Sequence, residues 1–412
     1  MRRSWRLPVA LVTAVLVAEG AVVLMRPRDR GPEPVRVEPR AYFSAAQIDR
    51  AEAFRTGQLW IYVAQTAIGL GVLALLVRRP PERVAALNRP TASRKRSSPA
   101  SPRAGAAVAA AIAIATGVAG LPLSAVARER AKDVGLVTQD WTGWAGDVAK
   151  SQAIGAGFAA LGGAVLVLGM RRFGSRWWLP GAVVVVAFGA ITTYAGPVVL
   201  DPLFNEFTPL PRGELRSDVL RLAREAGVDV GQVYVIDASR RTTAANAYVN
   251  GLGHTKRVVL YDNLIDDFTP AETRLVVAHE LGHVRHQDMR GGLIWLAVVA
   301  PFGMWAAALL AERFAPRGAA LGPRAVPAVA LSIAIVVPVI TVVSNQLSRD
   351  VERRADAFSL ELTRDPETFV AFQERIAVKN VSDPDPPGLA RFLLGTHPST
   401  IERIGQAEAF GR

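Results

Sequence analysis

The residues best suited to chemistry lie in one short run, VVAHELGHVRH at residues 276–286. His279 and His283 are four residues apart, so on a helix both imidazoles project from one face. That spacing suits two ligands of a tetrahedral zinc ion, and Glu280 could act as general base on a water at the metal. Ordinary polar surface residues are the alternative, but HExxH rarely arises by chance in a chain with five histidines. The pattern predicts one zinc ion.

A zinc site of this kind needs a third protein ligand and leaves the fourth position open for water. The chain has no cysteine, so that ligand must be a histidine or a carboxylate. The run SRDVERRADAF at residues 348–358 places Glu352 and Asp356 one helical turn apart. Glu352 is the candidate ligand, and Asp356 is the candidate acceptor for the ring N–H of a ligand histidine. Taken alone, the run is more typical of a solvated charged helix.

Local patterns predict the elements that position these residues. The HELGH helix, running through His286, has an N-cap, a first-turn proline and a capping-box acid in Thr269, Pro270 and Glu272. Residues 211–227 have helical periodicity, and QVYVI at residues 232–236 alternates like a strand. AYVNG and RVVLYD flank a glycine-rich turn at residues 250–253, which indicates a hairpin.

The composition indicates a membrane protein. Half of the 412 residues are hydrophobic and the mean hydropathy is +0.22, which is too apolar for a typical soluble domain. Seven mostly apolar stretches are long enough to cross a bilayer core of about 30 Å, at residues 7–25, 59–77, 104–126, 153–170, 177–200, 291–311 and 325–343. A signal peptide is the alternative for the first stretch, but its length and the absence of a small-residue cleavage site favour a retained anchor.

The net charge of +12 raises nucleic acid as a possible partner. Most basic residues, however, lie in loops beside the apolar stretches, and no basic face interleaved with aromatic residues is present. The Pro-, Ser- and Arg-rich segment at residues 78–103 is predicted to be a disordered basic loop. The charge therefore indicates lipid headgroups, and we expect a lipid bilayer and no nucleic acid as partner.

Two polar blocks, at residues 201–290 and 344–412, are separated by the hairpin that the sixth and seventh stretches form. Since a hairpin returns the chain to the side it left, both blocks lie in one aqueous compartment and can share one active site. We therefore expect a membrane domain at 1–200 with about five helices, a first metallopeptidase part at 201–290, a transmembrane hairpin at 291–343 and a second metallopeptidase part at 344–412.

The two blocks resemble the type I CAAX prenyl endopeptidases and their HtpX-like bacterial relatives, which are integral membrane gluzincin zinc metallopeptidases. The matching runs are PLFNEFTPL from residue 202, NAYVNGLGHTKRVVLYDNLI from 246, HELGH from 279, SRDVERRADAF from 348 and THPSTIERI from 396. Elsewhere the resemblance is limited to the number of spans. It implies a multi-spanning α-helical membrane protein of about seven transmembrane helices, with an α+β gluzincin metallopeptidase domain split by a transmembrane hairpin.

The resemblance also implies roles for single residues. Glu352 would be the third metal ligand, and Asp356 would orient a ligand histidine. His397 would help to stabilise the oxyanion of the tetrahedral intermediate, although a turn residue before Pro398 is the alternative. Arg403 would brace the same site, or it is a surface arginine.

The strand at Asn246, Ala247 and Tyr248 resembles the edge that pairs with an extended substrate in this family. Backbone pairing gives little sequence selectivity, and Asn246 could add one side-chain clamp to the peptide. A plain sheet edge is the alternative.

The sequence thus predicts a metalloendopeptidase that hydrolyses peptide bonds of membrane-associated or membrane-proximal polypeptides. An excess of Arg over Lys and abundant Ala indicate a high-GC bacterium, where quality-control or signalling proteolysis is a better expectation than cleavage of prenylated proteins. The resemblance places the catalytic blocks in the cytoplasm, whereas the loop charges favour the opposite side. A transporter or inactive scaffold would need charges paired within the spans or a broken HExxH, and the sequence has neither.

Overall fold

Five long helices form the N-terminal half of the fold in the computed structural model, which describes residues 5–79, 101–251, 256–315 and 321–411. They are α1 (Arg6–Met25), α2 (Ala45–Arg78), α3 (Pro102–Asp133), α4 (Trp141–Phe173) and α5 (Trp178–Val199). Helix α2 begins well before the predicted span, because Ser44 and Gln47 cap its first turn reciprocally. Helices α3 and α4 approach closely at Gly105 and Gly163, where a Cβ on either residue would collide with the backbone of the other. Residues 80–100 of the predicted basic loop lie outside the described residues.

A small mixed sheet follows α5 and carries the first helices of the metallopeptidase part. The elements are β1 (Phe207–Pro209), α6 (Glu214–Glu225), β2 (Gln232–Ile236), β3 (Ala247–Asn250), β4 (Arg257–Tyr261), α7 (Asp262–Asp267) and α8 (Pro270–Arg285). The strand order is β1-β2-β4-β3, with β2 and β4 parallel and the other two pairs antiparallel. The predicted hairpin is confirmed as β3 and β4, although its turn at residues 252–255 lies outside the described part of the chain.

The remaining elements cross the membrane twice and then complete the metallopeptidase part. They are α9 (Asp288–Phe314), α10 (Val326–Thr363), α11 (Pro366–Lys379), α12 (Gly388–Leu394) and α13 (Thr400–Phe410). Helix α10 does not end with the predicted span at residue 343 but continues to Thr363. Its apolar half packs against α1 and α9, where Val343 and Leu347 meet Val22 and Trp295. The seventh span and the predicted Glu352 ligand are therefore parts of one rigid helix.

Seven helices in the described ranges are long and apolar enough to cross a membrane, and each overlaps one of the predicted stretches. The fifth helix is one residue shorter at each end than the predicted stretch 177–200. The third stretch, which carries Pro122, is helical throughout. The metallopeptidase core is separate from this bundle. It lies between the sheet and helices α6, α8 and α11, where Val258, Leu260 and Leu281 are fully buried. Burial of such side chains is the main term that fixes α8 on the sheet.

Candidate metal centre

Helix α8 presents HELGH from a well-anchored position. The Thr269 hydroxyl accepts from the Glu272 amide at 3.3 Å, and the Glu272 carboxylate accepts from the Thr269 amide at 2.8 Å, so the predicted capping box is formed. Arg375 on α11 adds an ion pair of 2.6 Å to Glu272. With the opposite face buried in the core, the His279 and His283 side chains point toward α10.

Three potential ligand atoms converge between α8 and α10. His279 Nε2 lies 3.2 Å from His283 Nε2 and 3.3 Å from Glu352 Oε2, and His283 Nε2 lies 3.6 Å from Glu352 Oε1. A tetrahedral zinc ion with bonds of about 2.0–2.1 Å would have ligand–ligand edges of about 3.3–3.4 Å. The 3.2 and 3.3 Å separations match such edges, and the 3.6 Å separation is measured to the other oxygen of Glu352. One ligand atom from each of the three residues lies within 4.8 Å of the other two, so the three side chains surround a volume suited to the ion.

The bonding state of Glu352 provides a second test of whether these residues fit a cation. The residue is only 9% exposed, and its Oε2 atom is buried with no hydrogen-bond partner among the residues that the structure describes. A buried carboxylate oxygen without a partner costs free energy unless a positive charge compensates it. Two imidazole nitrogens and this oxygen form a donor set that zinc prefers, so the residues fit the ion.

His279 is held by a buried carboxylate and an arginine. Its Nδ1 lies 2.9 Å from Asp356 Oδ1, and Arg403 Nε donates to Asp356 Oδ2 at 2.8 Å. Burial alone would lower the pKa of His279, but Asp356 and Glu352 outweigh it and raise that pKa to about 10. The carboxylates thus create a potential that favours positive charge at the imidazole. Arg403 thus contacts Asp356 beside the candidate ligands, and its side chain is 20% exposed.

His283 has an acidic partner that the sequence analysis missed. Its Nδ1 lies 2.9 Å from Asp288 Oδ2, and the other oxygen of Asp288 forms an ion pair with Arg354. The signal in the sequence was an acid five residues after the second histidine, but a continuous helix would not bring these two side chains together.

Glu280 lies on α8 between the two histidines, and His397 lies in the loop between α12 and α13. Burial raises the pKa of Glu280, while His279 and His283 act against that shift. His397 Nε2 lies 3.3 Å from Glu352 Oε2, its Nδ1 lies 2.9 Å from the Thr396 hydroxyl, and its side chain is 58% exposed. An exposed imidazole beside the cluster is accessible to a bound peptide.

Strand β3 forms the edge of the sheet, as the strand order shows. Asn246, directly before β3, is exposed, Ala247 is buried toward the core, and the Tyr248 hydroxyl donates to Asp201 Oδ2 at 3.0 Å. Burial and the Asp201 charge raise the pKa of Tyr248, so its hydroxyl stays protonated. Asp201 lies two residues after the end of α5, so this contact ties the edge strand to the end of a membrane helix.

Comparisons with known protein families cover nearly the whole described chain. A model of peptidase family M48 matches residues 209–410, which include the candidate metal centre. A model described as CAAX prenyl protease N-terminal, five membrane helices, matches residues 40–206. The second model ends directly before β1, and the M48 model begins at Pro209, the last residue of that strand.

The chain is also similar in sequence to individual proteins. The chain is 32% identical over 304 residues to the uncharacterized metalloprotease YhfN of Bacillus subtilis, a match covering 72% of this chain and 71% of that protein. It is 37% identical over 146 residues to CAAX prenyl protease 1 of Saccharomyces cerevisiae, but that match spans only 34% of this chain and 31% of the yeast protein.

The fold is also that of a solved structure. The crystal structure of S. mikatae Ste24p superposes with a TM-score of 0.77 over 99% of both chains, at 18% sequence identity. The predicted architecture of about seven membrane helices with a divided α+β domain is confirmed by this match. The family resemblance is likewise confirmed: this chain belongs to peptidase family M48, and it is a multi-pass membrane metalloendopeptidase.

Proposed function

We propose that the chain is a zinc endopeptidase in which His279, His283 and Glu352 hold one zinc ion. The observation that carries this proposal is the convergence of His279, His283 and Glu352, with one potential ligand atom of each within 4.8 Å of the others. It is supported by the buried Glu352 oxygen, for which the described residues provide no hydrogen-bond partner. When bound there, zinc lowers the pKa of a water to about 7 and polarises the substrate carbonyl.

The remaining chemistry belongs to side chains around this cluster. Glu280 takes a proton from the attacking water and passes it to the leaving amine, and its pKa, raised by burial, suits both transfers. His397 donates an N–H hydrogen bond to the oxyanion that develops on the substrate carbonyl. Asp356, held by Arg403, keeps the Nδ1 proton of His279 in place so that Nε2 remains available.

The peptide would bind along β3. As the last strand of the sheet, β3 would offer backbone groups to an extended chain, and Asn246 can add a side-chain hydrogen bond. Ala247 contributes only its backbone, because its side chain is 2% exposed. Tyr248 binds Asp201 and so fixes the strand without contacting the peptide through its hydroxyl. Tyr248 would therefore support substrate binding indirectly, by fixing the strand.

The substrates would be membrane-associated or membrane-proximal polypeptides. Glu352 lies on the same helix as the seventh span, so the site is close to the bilayer surface. The yeast relative is named CAAX prenyl protease 1. The composition of this chain indicates a high-GC bacterium, however, and there quality-control or signalling proteolysis is the better expectation. We place the catalytic part in the cytoplasm of a cell-membrane protein and keep the division at residues 200, 290 and 343 as a prediction.

A combined zinc and cleavage assay tests this function. Detergent-purified protein should carry about one zinc per chain and cleave casein or a mixed peptide set. Chelation should abolish cleavage and zinc addition should restore it, since the ion supplies the attacking water. Protein that takes up no zinc, or cleaves equally well after complete chelation, would instead favour a scaffold or another hydrolase.

A further inference from the structure

We propose that Asp288 is a positioning residue for the ligand His283, with Arg354 holding its carboxylate in place. This inference rests on the proposed zinc function. Asp288 Oδ2 lies 2.9 Å from His283 Nδ1. An acceptor at that distance keeps the proton on Nδ1, so the lone pair of Nε2 faces His279 and Glu352. Both histidines would then be oriented by a carboxylate of their own.

The backbone between α8 and α9 brings Asp288 to this position. In a continuous helix, a residue five positions after His283 would lie about 140° around the axis and point away from it. The chain instead leaves α8 at His286 and turns at Gln287, which has φ 58° and ψ 41°, before α9 begins at Asp288. A non-glycine residue in this left-handed region has an unfavourable backbone conformation. The contacts of Asp288 with His283 and Arg354 therefore stabilise a turn that the backbone alone disfavours.

Two further features hold the Asp288 side chain in this position. It is the first residue of α9, where the amide groups and dipole of the helix stabilise negative charge. Its Oδ1 pairs with Arg354, leaving Oδ2 for His283. The Asp288 and Arg354 side chains are 11% and 15% exposed, so solvent screens this pair less than a surface pair.

Helix α10 supplies both the third ligand and the cation that holds Asp288. Glu352 faces the two histidines, and Arg354, two residues later, faces the α8–α9 turn. The arrangement parallels that at His279, where Asp356 is the acceptor and Arg403 the cation. Arg354 also lies 3.8 Å from Asp29, but the Asp29 side chain is 64% exposed and the contribution of that contact is small.

The test is the zinc affinity of full-length protein, measured by competition with a chelator. Asp288→Ala removes the acceptor and should weaken zinc binding 10- to 100-fold. Asp288→Asn retains an acceptor without charge and should lie between Asp288→Ala and the wild type. Arg354→Gln should weaken binding less than Asp288→Ala, because it loosens the carboxylate without removing it. The absorption spectrum of the cobalt-substituted protein should change in the same order, since it reports ligand geometry.

The matched control is Asp147→Asn. Asp147 forms an ion pair of 2.7 Å with Arg241, and each side chain is 19% exposed, but neither touches a histidine of the cluster. This variant should keep wild-type zinc affinity and an unchanged cobalt spectrum. If Asp288→Ala does not fold, the zinc affinities and cobalt spectra of Asp288→Asn and Arg354→Gln are compared with those of the wild type.

Wild-type affinity and spectrum in both Asp288 variants would overturn the proposal. An equal loss of zinc in Asp147→Asn would also overturn it, because the effect would then be general destabilisation. A wild-type protein that binds no zinc gives a different result, since it contradicts the proposed function on which the inference rests.

Discussion

The acidic side chains around the two histidines differ in what they touch, and their expected effects differ accordingly. Glu352 faces both Nε2 atoms, whereas Asp356 contacts the other nitrogen of His279 at 2.9 Å. Glu280 is rotated away from both contacts on the same helix as the histidines. Substitution of each carboxylate by its amide should therefore separate metal binding, histidine orientation and proton transfer.

Asp356→Asn should reduce zinc affinity or activity by about 10- to 100-fold, an intermediate effect, because the amide still accepts from His279 but loses its charge. The change also leaves the buried Arg403 without its ion partner, which lowers the thermal stability. The double variant Asp356→Asn with Arg403→Gln removes that unpaired charge. Recovery of stability without recovery of zinc affinity would support the orienting role, and recovery of both would argue for a purely structural pair.

His397→Ala should keep zinc and the fold but slow turnover by roughly 100-fold, as is typical when one oxyanion donor is lost. The nearby Thr396→Val variant removes only the hydroxyl that contacts His397 Nδ1 and should have a smaller effect. Turnover rates and zinc content of both proteins provide the measurement. Unchanged turnover in His397→Ala would show that this residue has only a structural role in the turn before Pro398.

Sequence patterns identify residues whose partners lie at a fixed spacing on one helix. They miss partners that meet only because the helix is interrupted between them. HELGH and the Glu352–Asp356 pair could be recognised because both lie on regular helices. Asp288 could not, since its contact with His283 depends on the left-handed conformation of Gln287. The Tyr248–Asp201 contact joins two segments far apart in the sequence, and no local pattern encodes it.

At the level of elements, α10 organises the site. It extends from the membrane span through Glu352 and Asp356, and it also holds α12 and the His397 loop. Asn345 Nδ2 donates to the Leu393 carbonyl at 3.0 Å, and Arg349 donates to the Gly395 carbonyl at 2.7 Å. The loop that carries His397 therefore takes its position from the same helix as the third ligand.

Asn345→Leu should slow turnover severalfold while zinc content stays unchanged. The substitution keeps the number and branching of the side-chain heavy atoms but removes a buried donor to α12, a contact worth about 1 kcal/mol. The effect should disappear in a His397→Ala background, because the loop then has no donor left to position. Equal effects of Asn345→Leu in both backgrounds would show that α12 does not act through His397.

The elements themselves were predictable to different degrees. Capped helices and alternating strands follow from local chemistry, and α8, β2 and the β3–β4 hairpin were predicted in this way. Strand β1 is three residues long and contains Pro209, so its sequence lacks a strand pattern. The sequence did not predict that α10 continues without a break past residue 343. The apolar residues of the span end there, but the helical backbone continues to Thr363.

At the scale of the whole molecule, the catalytic part is reached after five spans and again after seven, and the loop between α4 and α5 lies on the opposite side. Because the chain has no cysteine, a single introduced cysteine would be its only thiol available for labelling. With cytoplasmic catalysis, Glu367→Cys should be protected from a membrane-impermeant maleimide in intact cells, and Ser175→Cys should be labelled. Labelling of Glu367→Cys together with protection of Ser175→Cys would place the catalytic part outside.

The central claim is that Glu352 binds the metal and Glu280 does not. Zinc content of the purified Glu352→Gln and Glu280→Gln proteins tests it most directly. Glu352→Gln should lose zinc and activity together, because a neutral amide replaces a charged ligand. Glu280→Gln should retain about one zinc per chain while turnover nearly stops for lack of its base. A zinc-replete Glu352→Gln protein, or a zinc-depleted Glu280→Gln protein, would contradict the assignment.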